Sequence, residues 1–367
     1  MDTLTGKLGD ILEKLGQSFL IAAYLPAALF VLAHQLLLFP RWLGTPISLL
    51  QTPVAGEGVE PAWQWAYLVD QGLTLLLLPL LLGTLLMGLN TAIIRLYEGA
   101  FGWQRRFLLW PWQRRNVRRA EALYGDLLKL KQAYTHTLAE LAALPQGADR
   151  GALERKRASL ALEIQRAHER ISQQAPRQRL PRRPDAVQPT ALGNGFAVLE
   201  EYPYERYGMD SVLFWPRLRP LVDEEYAATL VNTKMILDLL LNLSLLAGVF
   251  GIEALSGGLR GMVDGALVKA GVAALVLAWV CYRGAVNVVH SLGDTIALCF
   301  DFFRGRLLEK YGLTQPGDLE AEQALWLQLG QFLRRGEGFY FPSSMKGSEA
   351  TPSMKGSEAT PSSAREG

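Results

Sequence analysis

A row of polar side chains around the fourth apolar run of the sequence has the residue types and spacing that proton movement requires. Its members lie one or two helical turns apart: Arg283, Asn287, His290, Asp294 and Asp301. Ionisable groups inside a membrane often mark a transport path, so this row and two residues of the third run, Asp238 and Asn242, predict a polar path or an inter-helix network. A solvated helix face or salt bridges between helices is the simpler and favoured explanation, because most of the row lies beyond the apolar run.

A second candidate site is the arginine-rich and aromatic segment that follows the second apolar run, GWQRRFLLWPWQRRNVRR. Basic residues close to an anionic bilayer surface contribute about 1 kcal/mol each to its attraction, and tryptophan favours the interface. The segment therefore predicts contact with anionic lipid headgroups through Arg105, Arg106, Arg114, Arg115, Arg118 and Arg119. Arginine and tryptophan also form stacking platforms for nucleic acid. The position next to a membrane span already explains both residue types, so a nucleic-acid partner is not favoured.

Motifs for catalysis or metal binding do not occur in the sequence. The four histidines share no helix at metal-ligand spacing, and HExxH, GxxxxGK[ST] and GxSxG are missing. Cys281 and Cys299 are 18 positions apart on what reads as one helix, too far for a disulfide. We therefore expect no catalytic residue, metal or cofactor, and an enzyme is the least favoured class.

The distribution of apolar residues predicts the fold class. Net charge is only +2 and mean hydropathy is +0.12, but the apolar residues gather into four long runs, at 18–39, 73–94, 235–255 and 266–286. About 20 apolar residues in a helix cross the hydrocarbon core of a bilayer. The sequence predicts an all-α integral membrane protein with four transmembrane helices.

Lysine and arginine predict the orientation. The loops at 40–72 and 256–265 hold one arginine each, Arg41 and Arg260, whereas the region between runs two and three holds 23 basic residues and the chain after run four holds eight. Cytoplasmic segments carry the excess of positive charge. Both termini and the central region should therefore be cytoplasmic.

The remaining segments are predicted to be helical or extended. Residues 1–17 form an interfacial amphipathic helix, and 95–119 form the basic aromatic juxtamembrane segment. Leucines every three or four residues on both sides of a break at 145–150 predict an antiparallel coiled-coil hairpin at 120–175.

Beyond the hairpin, 176–234 begins with a Pro/Arg linker, PRQRLPRRPDAVQP, and continues as a compact aromatic segment. Within it, Thr190 should cap one short helix, and a second short helix should run from 209 to 214 before Pro216 stops it. A cytoplasmic helical extension follows at 287–340. Within it, the helix that continues run four should stop near Gly312. The tail, 341–367, repeats SMKGSEATP and should be disordered.

Four phrases of the sequence carry a family resemblance: PTALGN, YPYERYGMD, WPRLRPLV and RLYEGAFGW. They resemble stretches of an uncharacterised group of bacterial multi-pass membrane proteins, over roughly 60 residues of the chain. The resemblance implies a bacterial origin and a location in the plasma (inner) membrane. The group carries no assigned activity, so no residue role follows from it.

Two classes of function fit these features. The first is a self-associating membrane assembly, either a scaffold, a signalling effector or a pore, whose cytoplasmic helices join protomers into a homo-oligomer. The alternative is a small transporter or lipid-handling protein with its site between the spans. The alternative is weakened by the scarcity of charge in runs one and two and by the lack of an inverted repeat.

Overall fold

The computed structural model describes residues 16–39, 61–145, 150–174, 180–259, 265–336 and 338–339 of the chain. Its regular secondary structure within these ranges is entirely helical, in agreement with the all-α prediction. The α-helices, in chain order, are α1 (Gly16–Leu38, with π-helical turns), α2 (Pro61–Gly88), α3 (Asn90–Glu98), α4 (Trp110–Ala143), α5 (Gly151–Gln174), α6 (Ala191–Tyr207), α7 (Ser211–Leu218), α8 (Glu224–Leu259), α9 (Gly265–Lys310) and α10 (Leu319–Arg335).

Three of these helices are long and apolar enough to cross a membrane: α1, α8 and α9. The pair Leu75–Gly88 and Asn90–Glu98 passes the same test when it is taken as one bent span. The described residues of this membrane protein thus contain three candidate spans, or four if the bent pair is one of them. Positions 1–15 of the predicted interfacial helix and the whole predicted tail at 341–367 lie outside the described residues.

The apolar run at 73–94, expected to be one continuous helix, is divided between α2 and α3. Their axes differ by 61°. The bend falls at Leu89, whose φ of −91° and ψ of 4° leave the helical region, next to Gly88, a weak helix former. Past the bend, Asn90 donates a hydrogen bond of 3.1 Å to Asp238 of α8. This long-range contact fixes the direction in which α3 continues.

The spans form a tightly packed group around α8. Helix α1 runs parallel to α8, because Asn242 Nδ2 donates to the Ala22 carbonyl and His34 contacts Glu253. Helices α8 and α9 are antiparallel and cross closely at two glycines. A Cβ added at Gly251 would come within 2.9 Å of the backbone oxygen of Gly271. Only glycine permits so short a distance between the two backbones.

Helix α9 is continuous over 46 residues, well beyond the run predicted at 266–286. It is followed by Gly312, whose φ of 71° is left-handed and ends the helical path. Helices α6, α7 and α10 lie against its second half. One hydrophobic core runs without interruption from Ala27 of α1 to Trp326 of α10. The membrane-adjacent helices therefore form a single packed unit with the spans.

Helices α4 and α5 pack against each other in opposite directions. Lys156 Nζ lies 3.9 Å from Glu140 Oε2 near the connection, while Ile171 packs on Ala120 and Tyr124 at the other end. The antiparallel arrangement agrees with the sequence pattern. Coiled-coil packing remains a prediction, and the middle of the predicted turn, 146–149, lies outside the described residues.

The segment predicted as linker and irregular aromatic region, 176–234, is mostly helical. Thr190 accepts a hydrogen bond from the Gly193 amide and caps α6, as predicted, but α6 extends over 17 residues to Tyr207. The expectation that Pro216 stops the next helix is wrong, because α7 continues to Leu218. The linker does not separate its neighbours either. Glu201 of α6 accepts the backbone amides of Arg182 and Arg183 at 2.8 and 3.0 Å and holds the linker on α6.

Candidate functional site

The Arg–aromatic surface is the first candidate site, and we define it as the exposed residues between 103 and 118. Its apolar members are unusually accessible, with Phe107 80% and Leu108 61% exposed. The full set is Trp103, Arg106, Phe107, Leu108, Trp110, Pro111, Trp112, Arg114, Arg115 and Arg118. An exposed apolar group of this size, with arginines beside it, is typical of a surface that enters a bilayer interface.

The arginines of this surface gather on one side of α4. Positions 114, 115, 118 and 119 repeat at the spacing of one helical turn, and with Pro111 and Ala122 they line a shallow cavity of about 480 Å³. The guanidinium carbon of Arg114 lies 3.8 Å from the centre of the Trp110 ring, a cation–π contact. Arg105, also predicted to contact lipid, is half-buried. Several guanidinium groups lining one cavity are suited to phosphate oxygens.

Hydrogen bonds to the linker hold the Arg–aromatic surface in place. Gln113 Nε2 donates to the Val187 carbonyl at 2.7 Å, and Asn116 Nδ2 donates to the carbonyls of Gln188 and Pro189. On the other side, Gly99 ends α3 with a φ of 72°. A Cβ at Gly99 would meet the Pro189 ring at 2.6 Å. The start of α4 is therefore fixed to α3 and α6.

The second candidate site is a cavity of about 510 Å³ between α1, α2, α3, α7, α8 and α9, which we call the α8 cavity. Its walls are mainly apolar, including Phe19, Met87, Leu292 and Ile296. Its polar lining is small and comes from α1, α3, the turn after α7, and α8: Ser18, Asn90, Arg219, Lys234, Asp238 and Asn242. Concave, mostly apolar sites with a few convergent polar groups are the usual form of a ligand pocket.

Asp238 is the central charge of the α8 cavity. Lys234 Nζ lies 2.6 Å from both of its carboxylate oxygens, one helical turn away, and Asn90 Nδ2 donates to the second oxygen. The carboxylate is mostly buried, while Lys234 is partly exposed. Lys234, on the same helix, therefore balances the charge of Asp238. Arg219 at the exposed rim gives the cavity as a whole a net positive charge.

Two carboxamide oxygens in the α8 cavity lack a hydrogen-bond partner among the described residues: Asn90 Oδ1 and Asn242 Oδ1. The orientation of each amide is fixed, because Asp238 and the Ala22 carbonyl can only accept and so require the Nδ2 side. Asn242 is only 2% exposed. A buried acceptor without a donor costs about 1 to 3 kcal/mol, so a ligand that donates hydrogen bonds would recover this loss.

The structure brings Asp238 and Asn242 together but places the predicted row on α9 elsewhere. Arg283, Asn287 and Asp294 are exposed, on faces of α9 that do not line the α8 cavity. His290 is half-buried where α6 crosses α9, and a Cβ at Gly195 would lie 3.5 Å from its ring. Arg283, Asn287, His290 and Asp294 are not among the residues that line the α8 cavity with Asp238 and Asn242.

Asp301, the last member of the row, belongs to a network that the sequence did not predict. It accepts hydrogen bonds from the hydroxyls of Tyr202 at 3.0 Å and Tyr207 at 2.7 Å, and Arg304 lies 4.1 Å above the Tyr207 ring. Burial, together with the bond to Asp301, raises the pKa of Tyr207 to about 12. Arg304 also pairs with Glu322 of α10 at 2.8 Å. The network joins α6, α9 and α10.

Metal and thiol chemistry depend on histidine, cysteine and carboxylate side chains. The described residues contain no group of three or more histidine, cysteine, aspartate or glutamate residues that could hold a metal ion. Cys281 and Cys299 are free and buried.

The chain matches no family model, and no curated protein and no solved structure shows significant similarity to it. The fold and the two sites define its class: an all-helical membrane protein with a helical unit packed on the ends of its spans.

Proposed function

We propose that this protein is a multi-pass membrane scaffold that crosses the bilayer four times and holds a helical unit against the anionic cytoplasmic leaflet. The four spans are α1, the bent pair α2–α3, α8 and the first half of α9. The basic residues place the termini and 95–234 in the cytoplasm. The family resemblance supports a location in the bacterial plasma membrane.

The observation that carries this proposal is the Arg–aromatic surface. Its exposed Phe107 and Leu108 would enter the acyl region, while Arg114, Arg115 and Arg118 would bind lipid phosphates. Neither the apolar side chains nor the arginines alone would attach the surface firmly to the membrane. The attraction of about 1 kcal/mol per basic residue is easily screened by salt. Insertion of apolar side chains together with several arginines gives stable attachment, because two kinds of attraction act on one rigid surface.

The depth of Leu108 in a bilayer tests the proposal. A nitroxide on Leu108→Cys in nanodiscs should be accessible to oxygen and shielded from a water-soluble relaxation agent when the bilayer contains phosphatidylglycerol. Replacing Arg114, Arg115 and Arg118 with glutamine should shift the nitroxide toward water, since the surface loses three charged contacts. A nitroxide that stays in water with phosphatidylglycerol present would overturn the proposal.

A matched control is available on the hairpin. Arg155, Arg157 and Arg166 of α5 are also exposed, so changing these three to glutamine removes the same charge away from the Arg–aromatic surface. This control should leave the nitroxide depth unchanged. An equal effect of both triple variants would mean that net charge alone, rather than this surface, controls attachment.

Self-association through the α4–α5 hairpin is the second part of the proposed scaffold. The hairpin has a small core of its own, and Leu138 and Leu162 remain exposed on its two helices. Two helices with a thin apolar seam are marginal alone and gain stability by packing on a further copy. Light scattering in detergent should give a closed homo-oligomer for the intact chain and a monomer when 128–168 is replaced by a short Gly-Ser turn. A monomer in both cases would rule out self-association.

The alternative function, a small transporter or lipid-handling protein, is favoured by the α8 cavity. The size and lining of this cavity suit an amphiphile. The cavity and the Arg–aromatic surface use different residues, so each function can fail without the other.

A further inference from the structure

We propose that the α8 cavity binds one phospholipid whose headgroup carries an amine or hydroxyl donor, of the phosphatidylethanolamine type. The amine donates to the free oxygens of Asn242 and Asn90, the phosphate pairs with Arg219, and the acyl chains leave along the apolar walls. This ligand site is separate from the Arg–aromatic surface.

The unpaired acceptors determine the chemistry of the ligand. Asn242 Oδ1 and Asn90 Oδ1 are buried acceptors, and the carboxylate of Asp238, already bonded to Lys234, can only accept as well. A ligand that brings only acceptors or methyl groups to this end of the cavity would leave both amide oxygens unsatisfied. A primary ammonium group carries three donors and a positive charge, which matches two amide oxygens beside a carboxylate.

The rim of the cavity supplies the contact for the phosphate. Arg219 is exposed at the cavity edge, next to Trp215 of α7, and its guanidinium group has no hydrogen bond among the described residues. A planar guanidinium binds phosphate oxygens in a bidentate manner. The positive charge at the rim and the acceptors at the base therefore suit a headgroup with phosphate and amine at opposite ends.

The apolar walls distinguish a lipid from a free phosphate. Phe19, Met87, Leu292 and Ile296 line the cavity, and Met87 and Val231 are exposed where the cavity opens. Inorganic phosphate would gain nothing from these side chains, whereas an acyl chain packs against them in van der Waals contact. The cavity should therefore retain a lipid through detergent extraction.

Native mass spectrometry of the full chain in detergent tests this assignment. The protein is incubated with equal amounts of phosphatidylethanolamine and phosphatidylcholine, which have the same charge and phosphate but differ in the three N–H donors. We expect at least about fivefold more retained phosphatidylethanolamine, a ratio to which each of the two satisfied acceptors contributes roughly twofold. Equal retention of the two lipids by the wild-type protein would overturn the proposal.

Two variants test whether the α8 cavity is the source of the preference for phosphatidylethanolamine. Asn242→Leu removes one acceptor and should reduce the lipid preference to about twofold or less, because one of the two discriminating bonds is lost. Asn287→Leu is the matched control, since Asn287 is an exposed asparagine of α9 outside the cavity, and its preference should equal that of the wild type. A full preference in Asn242→Leu would overturn the assignment of the site.

A third variant covers the case in which Asn242→Leu fails to fold, since Asn242 also bonds to Ala22. Met87 is 54% exposed at the cavity opening, so Met87→Trp should block entry and reduce retention of both lipids without disturbing buried contacts. Unchanged retention of both lipids in Met87→Trp would contradict the assignment of the lipid site to the α8 cavity. Addition of inorganic phosphate should displace no lipid, and displacement would identify a free phosphate site instead.

Discussion

His34 Nε2 lies 2.7 Å from Glu253 Oε2 and joins α1 to the far end of α8. The other ring nitrogen, Nδ1, is 2.8 Å from the Phe30 carbonyl, which can only accept, so Nδ1 must carry a proton. One further proton then lies between Nε2 and Oε2. The pair has no net charge whether that proton is on the imidazole or on the carboxyl, which allows it to sit against the rings of Phe39 and Phe250.

The first prediction concerns this pair. Glu253→Leu should lower the stability of the protein by about 1 to 3 kcal/mol, because the mostly buried Nε2 of His34 loses its hydrogen-bond partner. Glu253→Gln keeps a polar partner at the same position and should cost less than half as much. The thermal unfolding midpoint in detergent measures both. Equal midpoints for the leucine variant and the wild type would show that the contact adds nothing to stability.

The sequence was sufficient for features that depend on local composition. Helical structure and the apolar runs follow from side chains within one stretch of chain, so α8 and α9 could be located without their neighbours. The cap at Thr190 and the stop at Gly312 also follow from local chemistry, because a hydroxyl accepts a nearby amide and glycine tolerates a positive φ.

Features that depend on distant contacts could not be predicted. The bend at Leu89 is stabilised by Asn90 and Asp238, which are 148 positions apart. The partners of Asp301 are tyrosines more than 90 positions earlier in the chain. The sequence therefore indicated one polar helix face for Asp301 and the rest of its row, whereas the structure places the members of the row in three different environments. Asp238 and Asn242 were identified as candidates, but nothing in their spacing indicated Asn90 or Arg219 as neighbours.

The second prediction concerns alkaline pH. The pKa of Tyr207 is raised from 10.0 to about 12, mainly by burial and further by its bond to Asp301. A group whose pKa is raised by folding gives its full stabilisation below the ordinary value and loses it as the pH rises toward the raised value. The stability that this phenol adds should therefore persist up to pH 10 and disappear as the pH approaches 12. Tyrosinate absorbance and denaturant unfolding measure this loss.

Tyr207→Phe provides the control for that experiment. It removes the donor of the 2.7 Å bond to the Asp301 carboxylate and should cost about 1.5 to 3 kcal/mol at neutral pH. The loss of stability between pH 10 and 12 should also shrink in this variant. An unchanged alkaline transition in Tyr207→Phe would mean that a different group titrates.

The third prediction concerns the ion pair between α9 and α10. Glu322 is buried and receives bonds from Arg304 at 2.8 Å and from Trp326 Nε1 at 3.3 Å. Glu322→Ala leaves the mostly buried guanidinium of Arg304 without its carboxylate partner, so stability should fall by about 3 to 5 kcal/mol. Glu322→Gln keeps an oxygen acceptor and should fall by less. In Glu322→Ala, limited proteolysis should release α10 before it cuts the other helices. Cleavage of another helix at the same rate as α10 would contradict this account.

The fourth prediction compares two glycines of α8 that are three positions apart. A Cβ at Gly251 would lie 2.8 Å from the Leu275 side chain and 2.9 Å from the Gly271 backbone oxygen, whereas a Cβ at Gly248 meets only the Ala278 methyl at 3.9 Å. Gly251→Ala should therefore force α8 and α9 apart and cost about 1 to 3 kcal/mol. Gly248→Ala should be neutral or slightly stabilising, because alanine favours the helix and fits the space. Thermal midpoints in the same detergent give the comparison directly. If the two variants proved equally stable, the close approach of α8 and α9 at Gly251 would not be the contact that limits their packing.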